Sequence, residues 1–411
     1  MTIAGQGPVA WMMSRFPAVS ETFILQEVLA AQRAGVRAEI FPLVRQRGQD
    51  VHPEARPLVA RAHYARPLSL RTLGAQGYWL RRAPARYLGT WARALAGNIR
   101  SPRFALRALV VIPLAARFAR EMQGLGVRHV HAHWATHPAL AAWAVNRLTG
   151  IPYSVTAHAH DIYVDRSMLG PKLAAARRVV TISEFNREFL AEHYPAAVDG
   201  RLDVVRCGID LRRFPLREQP GRSGEFRILC VAGLRDYKGH EYLIRAVALM
   251  GAAGVPARLE LIGDGPMAGD LHALCRAEGV ADRVDFRGAR SGEEVAVAMG
   301  ATDALALPSV ITGTGKMEGL PVVLMEAMAR GVPVVASRIS AIPELVEDGV
   351  TGLLVDQRDA PGLAAALTRL ARDPREAARL GRAGAERART QHDIVANTHR
   401  LLDLIGVGSR S

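Results

Sequence analysis

The sequence predicts an α/β protein made of two doubly wound domains. Short β-like runs alternate with stretches of helical period along most of the chain, the pattern of a parallel sheet covered on both faces. The alternation runs twice, on either side of a Pro/Gly/Arg-rich stretch at 212–224. A length of 411 residues leaves room for two domains at roughly 100–200 residues each.

In the first half the predicted strands are 9–13, 37–43, 129–133, 153–157, 179–182 and 204–206, with helical stretches such as 21–34 and 139–148 between them. A segment from about 68 to 122 interrupts this alternation with extra helices. The second half repeats the scheme more cleanly. Its strands are 226–232, 258–262, 283–286, 304–307, 333–336 and 352–355, with helices such as 242–250 and 322–329, and an Arg- and Ala-rich helix from about 374 on. The expected division is an N-terminal domain over 1–210, a C-terminal domain over 211–385, and a last helix over 386–411 able to pack back on the first domain. Ligands of open α/β sheets sit beyond the carboxyl ends of the strands, so the loops there and a cleft between two such domains are where a site is expected.

Composition narrows the class. Hydrophobic residues make up 49% and charged residues 22%, values of a folded domain that exclude a disordered or collagenous chain. Cys207, Cys230 and Cys275 are too few and scattered for a disulfide framework or a structural zinc site, and they fit a reducing compartment. The first residues carry no basic segment ahead of an apolar core, and no run approaches the roughly 18 apolar residues of a membrane span. The expected location is the cytoplasm. The net charge of +14 is concentrated: residues 56–128 hold 14 arginines, no lysine and one acid, Glu121. A solvated set of Arg-rich helices is one reading. The other is a face for an anionic membrane, where each basic residue gains roughly 1 kcal/mol, which would make the protein peripheral at the inner face of the cell membrane. The aromatics there, such as Trp79, Tyr87 and Trp91, recur at helical spacing rather than as a base-stacking platform, so no nucleic acid partner is expected.

Three strings can carry chemistry. After the strand ending at Leu307, the run from Gly313 to Glu326 leads through Lys316, Glu318, Gly319 and Leu320 to Pro321 and Val322 at the start of a helix. Unpaired N–H groups around Gly319–Val322 form an anion site, and Glu318 and Glu326 place carboxylates at two depths beside it, suited to a sugar nucleotide. Taken singly, Glu318 reads as a partner of the helix dipole and Glu326 as an exposed helix acid. The second string, Gly233-Leu234-Arg235-Asp236-Tyr237-Lys238-Gly239, brings Arg235 and Lys238 toward a diphosphate, or forms a solvated turn. Lysine is scarce: Lys172, Lys238 and Lys316 stand against fifty arginines, and two of the three lie in these strings. The third, Gly263-Asp264-Gly265, is a tight turn after a strand and weak alone. No Gly-Lys-Ser/Thr phosphate loop and no helix-opening Gly-x-Gly-x-x-Gly is present, which argues against a kinase, an ATPase or a hydride-transfer enzyme. In the first half, His158 and His160 follow the strand 153–157, while His131, His133 and His137 cluster at another strand. Without a His-Glu-x-x-His helix these favour a polar role for His158 over a metal site, and no metal is expected.

Together these strings resemble the retaining glycosyltransferases of family 4, whose GT-B fold sets two Rossmann-like domains facing across a cleft. The resemblance is most specific in Glu318 and Glu326, the family's pair of glutamates separated by seven residues, and runs on through 331–336, 342–346 and 349–355. It includes Gly208-Ile209-Asp210 with Phe214 near the domain junction. The segments 14–24, with Ser20, Glu21 and Thr22, and 156–163 look like the branch that builds exopolysaccharides such as colanic acid.

The resemblance implies transfer of a sugar from a UDP- or GDP-linked donor to a glycan or lipid-linked oligosaccharide, with retention and with no cofactor. Glu326 would hold the ribose, Glu318 would lie against the donor sugar, and His158 would contact that sugar near the reacting carbon. Lys238 and Arg235 would neutralise the leaving diphosphate, with Gly233, Gly263, Gly265 and Lys316 on the donor side. Ser20, Glu21, Thr22, His133 and His160 would line the acceptor side. The usual Gly-Arg-Leu arrangement is altered, because Leu234 follows Gly233 and the spacing to Lys238 is one residue shorter, which puts Lys238 ahead of Arg235. The competing readings are a sugar-nucleotide epimerase of the same architecture and a non-catalytic basic membrane scaffold.

Overall fold

A computed structural model describes residues 7–17, 22–46, 53–217 and 224–408. They divide into two compact units: one runs to Arg206 and takes back the chain from Ile394 on, and the other covers Cys207–Asp393.

The first unit holds a six-stranded sheet of β1 (Val9–Phe16), β2 (Ala38–Arg45), β3 (His129–His133), β4 (Tyr153–Ala157), β5 (Arg178–Thr181) and β6 (Leu202–Val204). Its order is β2-β1-β3-β4-β5-β6, and every pair is parallel. The second unit repeats the plan with β7 (Phe226–Val231), β8 (Ala257–Ile262), β9 (Val284–Phe286), β10 (Ala304–Leu307), β11 (Val334–Ser337) and β12 (Leu353–Val355), in the order β12-β11-β10-β7-β8-β9. Counted from its own first strand, that is the doubly wound order 3-2-1-4-5-6, and its direction reverses between β7 and β10. In the first unit the reversal falls between β1 and β3.

Parallel strands covered on both faces are apolar throughout, and β10 and β12 are fully buried. Fully buried β3 is the exception, because its sequence His-Val-His-Ala-His carries three imidazoles. They survive burial by bonding across the sheet. His129 Nε2 and His131 Nδ1 share Ser154 Oγ at 2.8 and 2.7 Å, and His131 Nε2 meets Thr156 Oγ1 at 3.0 Å.

The helices of the first unit are α1 (Thr22–Arg33), α2 (Arg56–Arg61), α3 (Leu70–Arg82), α4 (Pro84–Asn98), α5 (Pro102–Leu125), α6 (His137–Thr149), α7 (His160–Tyr163), α8 (Leu169–Ala175), α9 (Glu184–His193) and α10 (Pro195–Val198). The Arg-rich segment thus forms three helices, α3 to α5, stitched by Trp79 Nε1 donating to the Ala116 carbonyl at 2.8 Å and Tyr87 Oη donating to Gln76 Oε1 at 2.8 Å. The second unit adds α11 (His240–Ala252), α12 (Ala268–Ala277), α13 (Gly292–Ala301), α14 (Val322–Ala329), α15 (Ile342–Leu345), α16 (Ala360–Arg372) and α17 (Pro374–Gln391). Position 386 falls inside α17, and the chain rejoins the first unit only with α18 (Ile394–Leu404), whose Leu401 and Leu402 enter the core of Trp11, Met13 and Val28.

Candidate active site

Unit by unit, the loops after the strands collect the residues of interest. In the second unit, β7 ends at Val231 and the chain turns through Gly239, at φ +69°, into α11. A Cβ on Gly239 would lie 1.9 Å from the Pro308 carbonyl oxygen, so only glycine lets this loop close on the one following β10. That approach delivers Lys238 to Glu318. The two form an ion pair, and Ser309 Oγ donates to the same carboxylate oxygen at 3.3 Å. Burial alone would lower the Lys238 pKa, but the Glu318 carboxylate outweighs it and holds the value above the ordinary one. The Tyr237 ring lies under both lysines of these loops, 5.1 Å from Lys238 Nζ and 4.2 Å from Lys316 Nζ.

Helix α14 spans Val322–Ala329, the bounds the sequence reading has for it, with Pro321 as its N-cap rather than a residue of its first turn. Proline cannot cap through a side chain, so the Val322 and Val323 amides have no side-chain cap, while the Leu324 N–H donates to the Pro321 carbonyl at 3.2 Å. Glu326 follows one turn in. Its carboxyl receives no hydrogen bond among the described residues, and burial pushes it up to about 7 against a weaker pull from Arg213. Gly263 and Gly265 serve the loops themselves: a Cβ on them would lie 2.1 Å from the Ala232 oxygen and 2.2 Å from the Leu234 oxygen. They let the turn after β8 press on the one after β7. Gly233 is under no such constraint. Arg235 is exposed and unpaired among the described residues.

In the first unit, β4 ends at Ala157 and His158 follows. Its N–H is held by Asp161, at 3.1 and 3.2 Å from the two carboxylate oxygens, and its carbonyl accepts from Asn186 Nδ2 at 2.5 Å. Three rings enclose the imidazole: Trp134 at 4.4 Å, Phe23 at 5.1 Å and His133 at 5.6 Å between centroids. Burial, with His133 nearby, pushes the His158 pKa well below the ordinary 6.5, so the ring is neutral. Trp134 adopts φ +77°, a left-handed conformation that costs a bulky residue roughly 1–3 kcal/mol, and its Nε1 is buried with no partner among the described residues.

Residues 213–387 match the family model described as Glycosyl transferases group 1, and residues 88–213 match Glycosyltransferase Family 4. The two matches run unbroken from 88 to 387. The chain belongs to the family 4 glycosyltransferases. Amylovoran biosynthesis glycosyltransferase AmsK of Erwinia amylovora is 38% identical over 170 residues, 41% of this chain and 42% of that one. The GDP-mannose-dependent alpha-(1-6)-phosphatidylinositol monomannoside mannosyltransferase of Mycolicibacterium smegmatis is 34% identical over 247 residues, 56% of this chain and 64% of that one. The matched stretches therefore span about two fifths of AmsK and under two thirds of the mannosyltransferase. Among solved structures, Anabaena HepE in complex with UDP-glucose superposes with a TM-score of 0.71 over 98% of this chain and all of that one, at 18% identity. That likeness shows the fold, which is GT-B.

Several of the residues singled out from the sequence are brought together and others are not. Lys238, Lys316 and Glu318 share one site, with Leu320 buried at the entrance to α14 and Val322 opening it. His133 and His158 touch, with 3.4 Å between Nδ1 and Nε2. His160 stands apart, 53% exposed and paired with Asp165 at 3.5 Å. Thr22 opens α1, while Ser20 and Glu21 lie outside the described residues. His137 stacks on Phe104 at 5.2 Å instead of joining the other histidines. Lys172, the third lysine, is buried in α8 with Nζ 3.3 Å from the Thr136 carbonyl, and burial lowers it to about 7. Sequence reasoning did not find Glu27, Trp134, Ser309 or Arg213. Of the group Glu27, His131 and His133, each offers one metal-ligating atom, all within 4.8 Å of one another, a cluster that only the fold assembles.

Proposed function

We propose that this glycosyltransferase moves a sugar from a nucleotide-diphosphate donor to a glycan or lipid-linked acceptor with retention at the anomeric carbon, in exopolysaccharide or cell-surface polysaccharide synthesis. The observation that carries the reading is the constellation at the start of α14: a lysine paired with Glu318 beside open helix amides, and a bare carboxyl at Glu326 one turn deeper. A carboxyl with no protein donor and a raised pKa is suited to take the hydroxyls of a ribose. Lys238 and the first-turn amides are suited to the diphosphate, with Arg235 free to approach it from solvent. Glu318, anchored by Lys238 and Ser309, is left to meet the donor sugar, and His158 of the first unit to contact it near the reacting carbon.

The chemistry follows from those assignments. The bond from the anomeric carbon to the phosphate oxygen breaks, and its electron pair stays on the diphosphate. Fixed cations and amides aimed there lower the barrier, each contributing roughly 10²–10³ in rate. The acceptor oxygen bonds to the anomeric carbon on the same face, and its proton passes to the departing phosphate oxygen. No metal or cofactor is assigned a step. The mannosyltransferase named above is GDP-mannose-dependent and HepE was solved with UDP-glucose, which supports a UDP- or GDP-hexose as donor. Thermal shift against a panel of UDP- and GDP-sugars, followed by nucleotide-diphosphate release with and without acceptor glycans, tests it. Donor isomerised without nucleotide release would turn the reading toward an epimerase.

On the acceptor side, the reading takes an anionic bilayer surface as partner, with the enzyme peripheral at the inner face of the cell membrane. What supports it is the outer surface of α3 to α5. Eleven of the fourteen arginines at 56–128 are exposed. Each helix also carries an apolar stripe opposite its buried one: Leu70, Leu73 and Leu80 on α3, Leu88 and Leu95 on α4, and Leu106, Leu109 and Val110 on α5. Leu68 and Leu70 are 87% and 88% exposed, far beyond scattered surface leucines. Arginines attract anionic headgroups while the leucines enter the acyl boundary. No helix among the described residues is long and apolar enough to cross a membrane. Co-sedimentation with phosphatidylglycerol vesicles but not phosphatidylcholine vesicles is expected, and it should fall when Leu70 and Leu73 become serine. Equal binding to both vesicles would remove the membrane from the reading.

A further inference from the structure

Trp134 is the first residue after β3, and two costs fall on it at once. Its backbone N–H still follows the sheet, donating to the Thr156 carbonyl at 3.0 Å, but its φ of +77° turns the chain into the left-handed region that bulky side chains avoid. Its indole Nε1 is buried and has no hydrogen-bond partner among the described residues. An indole nitrogen can only donate, and buried ones are ordinarily bonded. The deeper Trp11 and Trp79 follow that rule, donating to Glu27 Oε1 at 3.0 Å and to the Ala116 carbonyl at 2.8 Å.

The strained turn is held from two sides. Asp161 accepts the Ala135 N–H at 2.7 Å while also taking the N–H groups of His158 and Ala159, so one carboxylate ties the loop after β3 to the loop after β4. On the next residue, the Thr136 carbonyl accepts from Nζ of the buried Lys172 at 3.3 Å. The indole so fixed stands beside His158, at 4.4 Å, and Phe23 in the first turn of α1, at 6.3 Å between centroids. The strand order of the first sheet reverses between β1 and β3, and the carboxyl edge at such a reversal is where open α/β sheets hold ligands.

We propose that Trp134 is a sugar-binding residue whose indole N–H donates to a hydroxyl oxygen of a hexopyranose at the carboxyl edge of the first sheet. A tryptophan needed only to fill space could keep an ordinary φ and turn its N–H to a carbonyl or to water. Backbone strain persists only where the surroundings over-determine it, and it gathers at ligand sites. Here it coincides with an unspent donor on the same residue. A neutral donor set among aromatic rings suits a sugar hydroxyl rather than a phosphate. Whether that hexose is the one transferred or the one receiving it rests on the function proposed above. The hydrogen bond to a sugar does not.

The indole proton–nitrogen signals of the full chain labelled with 15N-tryptophan decide the matter. The chain has five tryptophans, and Trp134→Phe identifies the signal at issue. UDP and GDP alone should leave that signal in place. UDP-glucose or GDP-mannose should move it downfield if the hexose is the transferred one, and the methyl glycosides of glucose, mannose or galactose if it belongs to the acceptor. Placing 3-benzothienylalanine at position 134 keeps the bicyclic ring and exchanges only the N–H for sulfur, and it identifies the signal even if the Phe variant fails to fold. By calorimetry this analogue should bind the sugar that moves the signal about three- to tenfold more weakly, the range of one neutral hydrogen bond, with UDP and GDP bound as by wild type. A signal that no sugar moves, one that UDP or GDP alone moves as far, or an analogue with wild-type sugar affinity would each overturn the proposal. Nucleotide sugar consumed while the signal stays still removes this inference and leaves the proposed function standing. A signal moved by methyl glycosides in a protein that consumes no nucleotide sugar does the reverse.

Discussion

Replacing Glu326 by glutamine separates what that carboxyl costs the fold from what it does for the ligand. Burial holds the group at about 7 against an ordinary 4.5, with Arg213 pulling the other way. The difference of about 2.5 pH units, at 1.36 kcal/mol each, comes to at most about 3 kcal/mol. The sign is set by proton uptake. Because the folded state binds this proton more tightly than the unfolded chain, the stability Glu326 contributes is fully present below 4.5. It is lost as the pH rises through about 7. The Glu326→Gln variant has no such proton to lose. Urea unfolding at pH 5 and pH 8 should therefore show wild type falling relative to the variant by up to about 3 kcal/mol, with the variant the more stable protein at pH 8. The same variant should lose the melting shift given by UDP or GDP, since a glutamine cannot supply the charge that ribose hydroxyls meet. A stability difference that stays flat with pH would refute the burial argument. A variant that keeps wild-type nucleotide affinity would remove Glu326 from the donor site.

Three other perturbations separate the parts of the site. Lys238→Ala should lower kcat by roughly 10²–10³ while circular dichroism stays native, because it removes the fixed cation from the leaving diphosphate; unchanged turnover would take Lys238 out of the mechanism. Gly239→Ala should cost roughly 2–3 kcal/mol of stability in urea, since the new Cβ meets the Pro308 oxygen at a positive φ. Tyr237→Ala removes the ring under Lys238 and Lys316, and nucleotide affinity by calorimetry should weaken by about five- to thirtyfold, at roughly 0.5–1 kcal/mol for each of the two contacts.

Eleven of the twelve strands were legible because buried parallel strands are short, continuous apolar runs bounded by turn residues, and β10 and β4 match the sequence reading residue for residue; the sixth, expected at 204–206, lies at Leu202–Val204 on the sheet edge, where one residue of three is buried. The Glu318–Glu326 string was legible because its glycines, proline and two carboxylates follow one another along the chain. Glu27 was not. It is an acid on a helix of ordinary amphipathic period, and its partners His133 and Trp11 lie 106 and 16 positions away on β3 and β1. Nothing in periodicity shows which acid of a helix meets which ring of a sheet. The apolar stripes of α3 to α5 were hidden for a different reason: a leucine at helical spacing reads as core until packing shows which of two stripes is covered.

The two glutamates of that string also show why spacing alone cannot assign roles. They stand eight positions apart, Glu318 ahead of α14 and Glu326 one turn inside it, and the fold gives them opposite surroundings. Glu318 is met by Lys238 and Ser309, whereas Glu326 has no donor among the described residues and is driven toward protonation. A carboxylate already neutralised by a lysine can lie against a neutral sugar without repelling a diphosphate next to it. A bare one beside that diphosphate would cost repulsion unless it stood deeper and could hold its proton until hydroxyls arrived. The depth of Glu326 within α14 and its raised pKa supply both conditions. On the proposed reading, the placing of one carboxylate ahead of α14 and the other one turn inside it would let one short segment hold an anion at its mouth and a ribose behind it.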